Sequence, residues 1–178
     1  MDETINTSSN ASSNTGRQML RHAIATVAYR GKKAIANAPE SFAEFCVNGP
    51  DKNLAIIPVK TPAQILAHIG DLFDWALLLA KGEYAWRGSA PLAWAEETAR
   101  FSRVLEAFDQ YLASEEPLLA PAEKLFQGPI ADALTHIGQI AMLRRISASP
   151  IKGENYFKAE IIVGRFGVEP SNNRAEFD

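Results

Sequence analysis

The stretch TPAQILAHIGDLFDWALLLAKG, residues 61–82, restricts the fold of this chain more than any other. Thr61 is a candidate N-cap, and Gln64 stands where a capping box needs it. Pro62 suits the first helical position, where its missing N–H would have had no helical partner. Ile65, Ile69, Leu72, Phe73, Ala76 and Leu79 then recur at three- and four-residue steps, which place them on one face of a helix. Gly82, just after Lys81, is the expected C′ residue. Such a helix must bury its stripe against something, and three further stretches have matching patterns. Arg17 to Asn37 carries Leu20, Ile24, Val27, Gly31 and Ala34 at helical spacing and is ended by Pro39. Pro91 to Ser114 carries Trp94, Phe101, Leu105, Phe108 and Leu112. The last helix is expected to open with Pro129 at its first position, to run through Arg145 and to end before Pro150. No alternating strand pattern competes, so the expected class is all-α, a four-helix bundle.

The connecting segments read less clearly. ESFAEFCVNGPDKNLAIIPVK, residues 40–60, is expected to hold a short helix and an extended piece. GENYFKAEIIVGRFG, residues 153–167, has no clean period and reads as a short helix followed by a strand-like excursion over the bundle. Residues 1–16, MDETINTSSNASSNTG, have almost nothing to bury and read as a disordered tail. The expected division is a tail over 1–16, one helical domain over 17–168 and a flexible tail over 169–178.

A chain of 178 residues suits one domain with one sizeable core. At 47% hydrophobic, 22% charged and a net charge of −3, it lacks the broad positive field that nucleic acid binding needs. The single cysteine, Cys46, can form no internal disulfide, which suits a reducing compartment, and it reads as a small buried hydrophobe. The start does not resemble a signal peptide, and the longest apolar run, Trp75 to Ala80, is too short to cross a bilayer. The expectation is a cytoplasmic protein with neither nucleic acid nor membrane as partner. Leu77 and Leu78 exceed what one helix face needs, and a spare apolar strip of this kind points to a homodimer.

The chemistry-bearing residues are few. His68 lies beside the apolar stripe of the second helix, between Ile65 and Leu72, and reads either as a core-edge histidine or as a ligand. Asp132 and His136 are four residues apart on the last helix, so they share a face about 6 Å apart along the axis and could converge on one ion. Asp132 has a second reading, as an acid in the first turn answering the helix dipole. His22 falls off its helix's stripe and reads as a surface residue. Asp71, one turn from His68, is better placed than Asp74 to orient that imidazole. Gln139 could bond a ligand or a neighbouring helix, and Arg144 and Arg145 suit the end of a helix dipole. There is no phosphate loop, nucleophile elbow, C-x-x-C or H-E-x-x-H.

Two segments, TPAQILAHIGDLFDWALLLAKGE and ADALTHIGQIAMLRR with its H-x-G-Q step, together resemble the DinB-like superfamily. This superfamily includes YfiT-type metal-dependent hydrolases and mycothiol-dependent isomerases. The closing GENYFKAEIIVGRFG resembles tails of one branch. The resemblance covers residues 17–168 and implies a bundle of DinB/YfiT type with a metal on three side chains. The family's usual set is one histidine from the second helix and an H-x-x-x-H pair from a later one. By position His68 matches the first and His136 the last, whereas the middle position is Asp132. The resemblance thus implies either a His68–Asp132–His136 site for a divalent metal or a site that has weakened. Zn or Ni would come first, with Fe or Mn also compatible with such donors. It further implies a thiol-dependent transferase or a hydrolase acting on a small-molecule substrate, with a low-molecular-weight thiol as co-substrate. The other class left open is a non-catalytic bundle used for binding or dimerisation.

Overall fold

The computed structural model describes residues 3–47, 60–167 and 175–177, with side chains from residue 14 onward. The fold is all-α with very little strand. Helix α1 spans Glu3–Ile35, α2 Pro62–Ala80 and α3 Trp94–Ala113. A short helix α4, Ala122–Leu125, runs through a π-helical turn, Phe126–Ile130, into α5, Ala131–Ile146. A single 3-10 turn, Glu40–Phe42, follows α1. Two short strands, β1 Gly153–Glu154 and β2 Glu176–Phe177, pair antiparallel with Gly153 opposite Phe177 and Glu154 opposite Glu176.

The apolar stripes meet as their spacing requires. Leu20, Ile24, Val27 and Ala34 of α1, Ile65, Ile69, Leu72, Phe73 and Ala76 of α2, and Trp94, Phe101, Leu105, Phe108 and Leu112 of α3 are all buried in one core. The Thr61 capping box forms as expected: the Thr61 hydroxyl accepts from Gln64 N at 3.4 Å, and Gln64 Oε1 accepts from Thr61 N at 3.0 Å. By length and composition α2 could cross a membrane, but most of it is buried inside the bundle.

Helices α1 and α2 each pack against both α3 and α5, so the order around the bundle is α1, α3, α2, α5. Their directions follow from side-chain partners. Ile65, early in α2, shares a cavity with Leu143, late in α5, while Trp75 shares another with Gly128 and Ala131; α2 and α5 are therefore antiparallel. By contrast α2 and α3 are parallel, with Asp71 paired to Arg100 and the Ala80 carbonyl accepting from Tyr111 Oη. A parallel pair obliges residues 81–93 to travel back along α2 before α3 can start. Trp86 consequently lies edge-on to Trp75 and to His68, with ring centroids 5.6 Å apart in each case.

The return segment is pinned by a polar cluster. Asp71 accepts from Ser89 N at 2.9 Å and from Ser89 Oγ at 2.7 Å. Arg100 donates to Asp71 at 2.6 Å, to Asp74 at 2.7 Å and to Ser89 Oγ at 2.9 Å. Gly70 makes room for it, since a Cβ there would lie 2.9 Å from the guanidinium carbon. Burial would raise the Asp71 carboxyl, but the hydrogen bonds from Arg100 and Ser89 outweigh it and hold it below the usual range.

Several local expectations need correction. Helix α1 continues upstream of Arg17 to Glu3, through the stretch read as a tail; its described packing begins near Gly16, which faces Ala122. Pro129 does not open the last helix. It lies inside the π-helical turn, a widening of the helix in which a residue without an N–H is tolerated. Cys46 is exposed: Phe42 buries itself edge-on to Trp94, and the chain then leaves the core. Asp71 does not orient His68, because its oxygens are taken by Ser89 and Arg100. Leu77 packs on the core, which narrows the spare strip of α2. Residues 156–159 form turns rather than a helix, and the short strand β1 precedes them, whereas the expected strand-like piece would follow. The extended piece expected before residue 60 lies outside the described residues. Arg144 is buried and donates to the Ala34 and Ala36 carbonyls at 3.1 and 2.9 Å, so it answers the end of α1.

Two glycines test this packing. A Cβ on Gly31 would overlap the buried Phe101 ring, whereas one on Gly138 meets nothing. Gly31→Ala should lower stability by about 1–3 kcal/mol, overpacking outweighing the better helix propensity. Gly138→Ala should raise it by up to about 1 kcal/mol. Urea unfolding midpoints at unchanged slope are the measurement.

Candidate metal centre

His68, from α2, and Asp132 and His136, from α5, come together where the antiparallel helices cross. Their ligand atoms all lie within 4.8 Å of one another. Asp132 turns one oxygen toward each ring: Oδ2 is 3.7 Å from His68 Nε2, and Oδ1 is 3.5 Å from His136 Nε2. The two imidazoles stand perpendicular, with centroids 4.7 Å apart. At these lengths neither carboxylate contact is a hydrogen bond.

One of the two rings has a partner on its own helix. The Nδ1 of His136 lies 2.9 Å from Gln139 Oε1, one turn further along α5. An amide oxygen only accepts, so this contact favours the tautomer whose Nδ1–H donates to it and whose Nε2 is left as the acceptor. Gln139 thereby does for His136 what Asp71 was expected to do for His68; the i, i+3 spacing in HIGQ is the sequence signal for it. Burial holds the His68 imidazole below its ordinary value of 6.5. The positive charge of Lys60 and the neighbouring His136 act in the same direction, and Asp132 and Asp71 oppose them. His68 is therefore neutral at pH 7, the form that binds metals.

The place of Asp132 in its helix bears on its role. An acid in the first turn of a free helix complements exposed N–H groups. Here the helical run begins at Ala122 and passes through the π-helical turn into α5, and Ile130 has helical dihedrals with no side-chain cap. Asp132 thus sits on a continuing helix, where the dipole of a free end is absent. Its side chain is half exposed, while those of His68 and His136 are mostly covered.

The donors suit a divalent ion. Zn holds N and O ligands at about 2.0–2.2 Å, which sets neighbouring donors about 3.3 Å apart in a tetrahedron. The observed 3.5 and 3.7 Å are close to this, and the ligand atoms as a set, which lie within 4.8 Å of one another, would have to draw together by up to about 1.5 Å to share one ion. Three protein ligands with one half-exposed side leave coordination positions for a further group. Cavities flank the group on both sides. One, of about 410 Å³, is lined by Leu72, Trp75, Gln127, Gly128, Asp132 and Thr135. The other, of about 350 Å³, is lined by Lys60, Ile65, His136, Gln139, Met142 and Leu143. His22 is exposed on α1 and stands apart from the group, as expected, and Asp74 is an exposed partner of Arg100. No family model, no curated protein and no solved structure matches the chain.

Two measurements on metal-free protein follow. With the folded pKa of His68 below that of the unfolded chain, the unfolded state binds more protons between the two values. The contribution is complete above pH 6.5 and is lost as pH falls through the folded pKa. His68 should therefore titrate below 6.5 by NMR, and His68→Gln should flatten the loss of stability in that window. Gln139→Leu should release the His136 proton to partition between both nitrogens. Nitrogen-15 shifts that still report a single Nδ1–H tautomer would contradict that role for Gln139.

Proposed function

We propose that this chain is a DinB-like metalloprotein in which His68, Asp132 and His136 hold one divalent ion. The site would act on a small-molecule substrate by thiol-dependent transfer or by hydrolysis, with a low-molecular-weight thiol as co-substrate in the first case. One observation carries the reading: three metal-competent side chains from two helices converge, and the carboxylate among them has no free helix end to serve. Zn or Ni suits two imidazoles and a carboxylate best, and Fe or Mn accepts the same donors. Such an ion, when bound, lowers the pKa of a water or thiol held beside it.

The protein's own contribution is positioning. His68 and His136 supply imidazole nitrogens and Asp132 the single carboxylate, and with one carboxylate among three ligands a divalent ion would keep net positive charge toward a further group. Gln139 holds the His136 ring in the tautomer that leaves Nε2 bare. Trp86, brought edge-on to His68 by the return segment, packs against one side of the ring. The cavities on either side give a substrate two directions of approach.

Asp132→Asn separates this reading from a purely structural one. Elemental analysis of untagged protein should find metal in the wild type and a sharp drop in the variant. Added Zn or Ni should raise the melting temperature of the wild type and leave the variant unmoved. Equal metal content in both proteins, or a wild type that takes up no ion after loading, would overturn the proposal.

A further inference from the structure

The two cavities beside the metal group differ in electrostatic character. The one beyond Asp132 is edged by a carboxylate, which repels anions. The one beside His136 has no acidic residue in its wall. Its polar residues are Lys60, Gln139 and His136; Ile65, Met142 and Leu143 form the rest. Gln139 has already committed its oxygen to His136, so the hydrogen-bonding function it retains is the donating NH2. His136 has likewise used its Nδ1–H. What is left toward the cavity is one cation and one amide donor over an apolar floor.

We propose that this cavity binds a small organic carboxylate, with the acid on Lys60 and Gln139 and a short apolar body against Ile65, Met142 and Leu143. Lys60 is well placed for the task, because it directly precedes Thr61, whose capping box fixes the chain at the start of α2. Its backbone is held at the cavity rim while the side chain keeps its reach. A carboxylate matches one ammonium and one NH2, whereas a phosphate dianion would call for more donors than the wall offers. The volume of about 350 Å³ is at the small end of ligand cavities, which sets the size of the body. A molecule anchored there lies against His136; because Met142 and Leu143 lie beyond Gln139 along α5, its acid is the end nearer the group formed with His68 and Asp132, and any role in catalysis falls to that end. The role in catalysis rests on the metal reading above, but the binding itself does not.

The test uses the full chain treated with chelator, titrated with hexanoate and followed by NMR or calorimetry. Hexanamide serves as the neutral counterpart and inorganic phosphate as the anion without a body. Hexanoate should bind saturably, perturb His136, Gln139 and Leu143, and bind at least about fivefold tighter than either comparison ligand. Lys60→Met should weaken hexanoate about tenfold, Lys60→Arg should hold it within about threefold, and Asp132→Asn should leave it bound. Absence of saturable binding, equal affinity for hexanamide or phosphate, or an unaffected Lys60→Met variant would each overturn the proposal. Hexanoate binding in a protein that takes up no metal would sink the metal reading alone. Metal uptake without hexanoate binding would sink this one alone.

Discussion

The Arg100 guanidinium holds together the part of the fold on which the candidate centre depends. It reaches over Gly70 into the space between α2 and α3 and joins Asp71, Asp74, Ser89 and the Ala67 carbonyl. Because α2 and α3 run parallel, the segment between them must return along α2, and an unpinned return segment would leave the face of α2 open to water. Ser89 is the pin. Its backbone and hydroxyl both bond Asp71, which Arg100 holds in ionised form. Removing one partner of such a buried set costs about 3–5 kcal/mol, since the other charge is left uncompensated. Glu97 belongs to the same cluster: one oxygen accepts from Leu92 N at 2.9 Å, while the other, fully buried, has only Arg100 at 3.8 Å.

This cluster also explains a division of labour among carboxylates. Asp71 lies one helical turn from His68 and would be a natural partner for it, yet Arg100 and Ser89 saturate both its oxygens. Asp132 has no cation of its own among its described contacts. Its two oxygens face the two imidazoles at distances too long for hydrogen bonds. A half-exposed carboxylate between two imidazole nitrogens is an arrangement that a divalent cation would stabilise. The π-helical turn at Phe126–Ile130 contributes by merging α4 and α5 into one run, which sets the rotation of Asp132 and His136 toward α2 and leaves Asp132 without a helix end to cap.

At the far side, Lys33 is buried between Glu154 and Glu176 at 2.7 and 2.8 Å and ties the β1–β2 pair to α1. Burial alone would lower its pKa, but the hydrogen bonds to the two glutamates more than offset that. Tyr29 adds a hydrogen bond to Glu154. Arg17 plays a comparable part near the middle of α1, where it donates to the Leu112, Ser114 and Glu116 carbonyls and so closes the end of α3. These polar contacts join residues more than 90 positions apart, and they are the means by which the helices are held in register along the bundle.

The amino-acid sequence by itself determined the helices, their apolar faces and the Thr61 cap, because those depend on interactions within a few residues. The same local geometry set Asp132 and His136 on one face and placed Gln139 a turn beyond. Only the tertiary structure decided that α2 and α3 are parallel, that α5 runs against α2 so that His68 meets the other two, and that Asp71 is already occupied by Arg100. It likewise decided that Cys46 is exposed and that Pro129 lies within a helical run instead of starting one. Each of these depends on partners distant in sequence. Local pattern fixes which face of a helix is apolar, but helix direction, the path of a connecting segment and the partner of a buried charge are set by the packing of the whole chain.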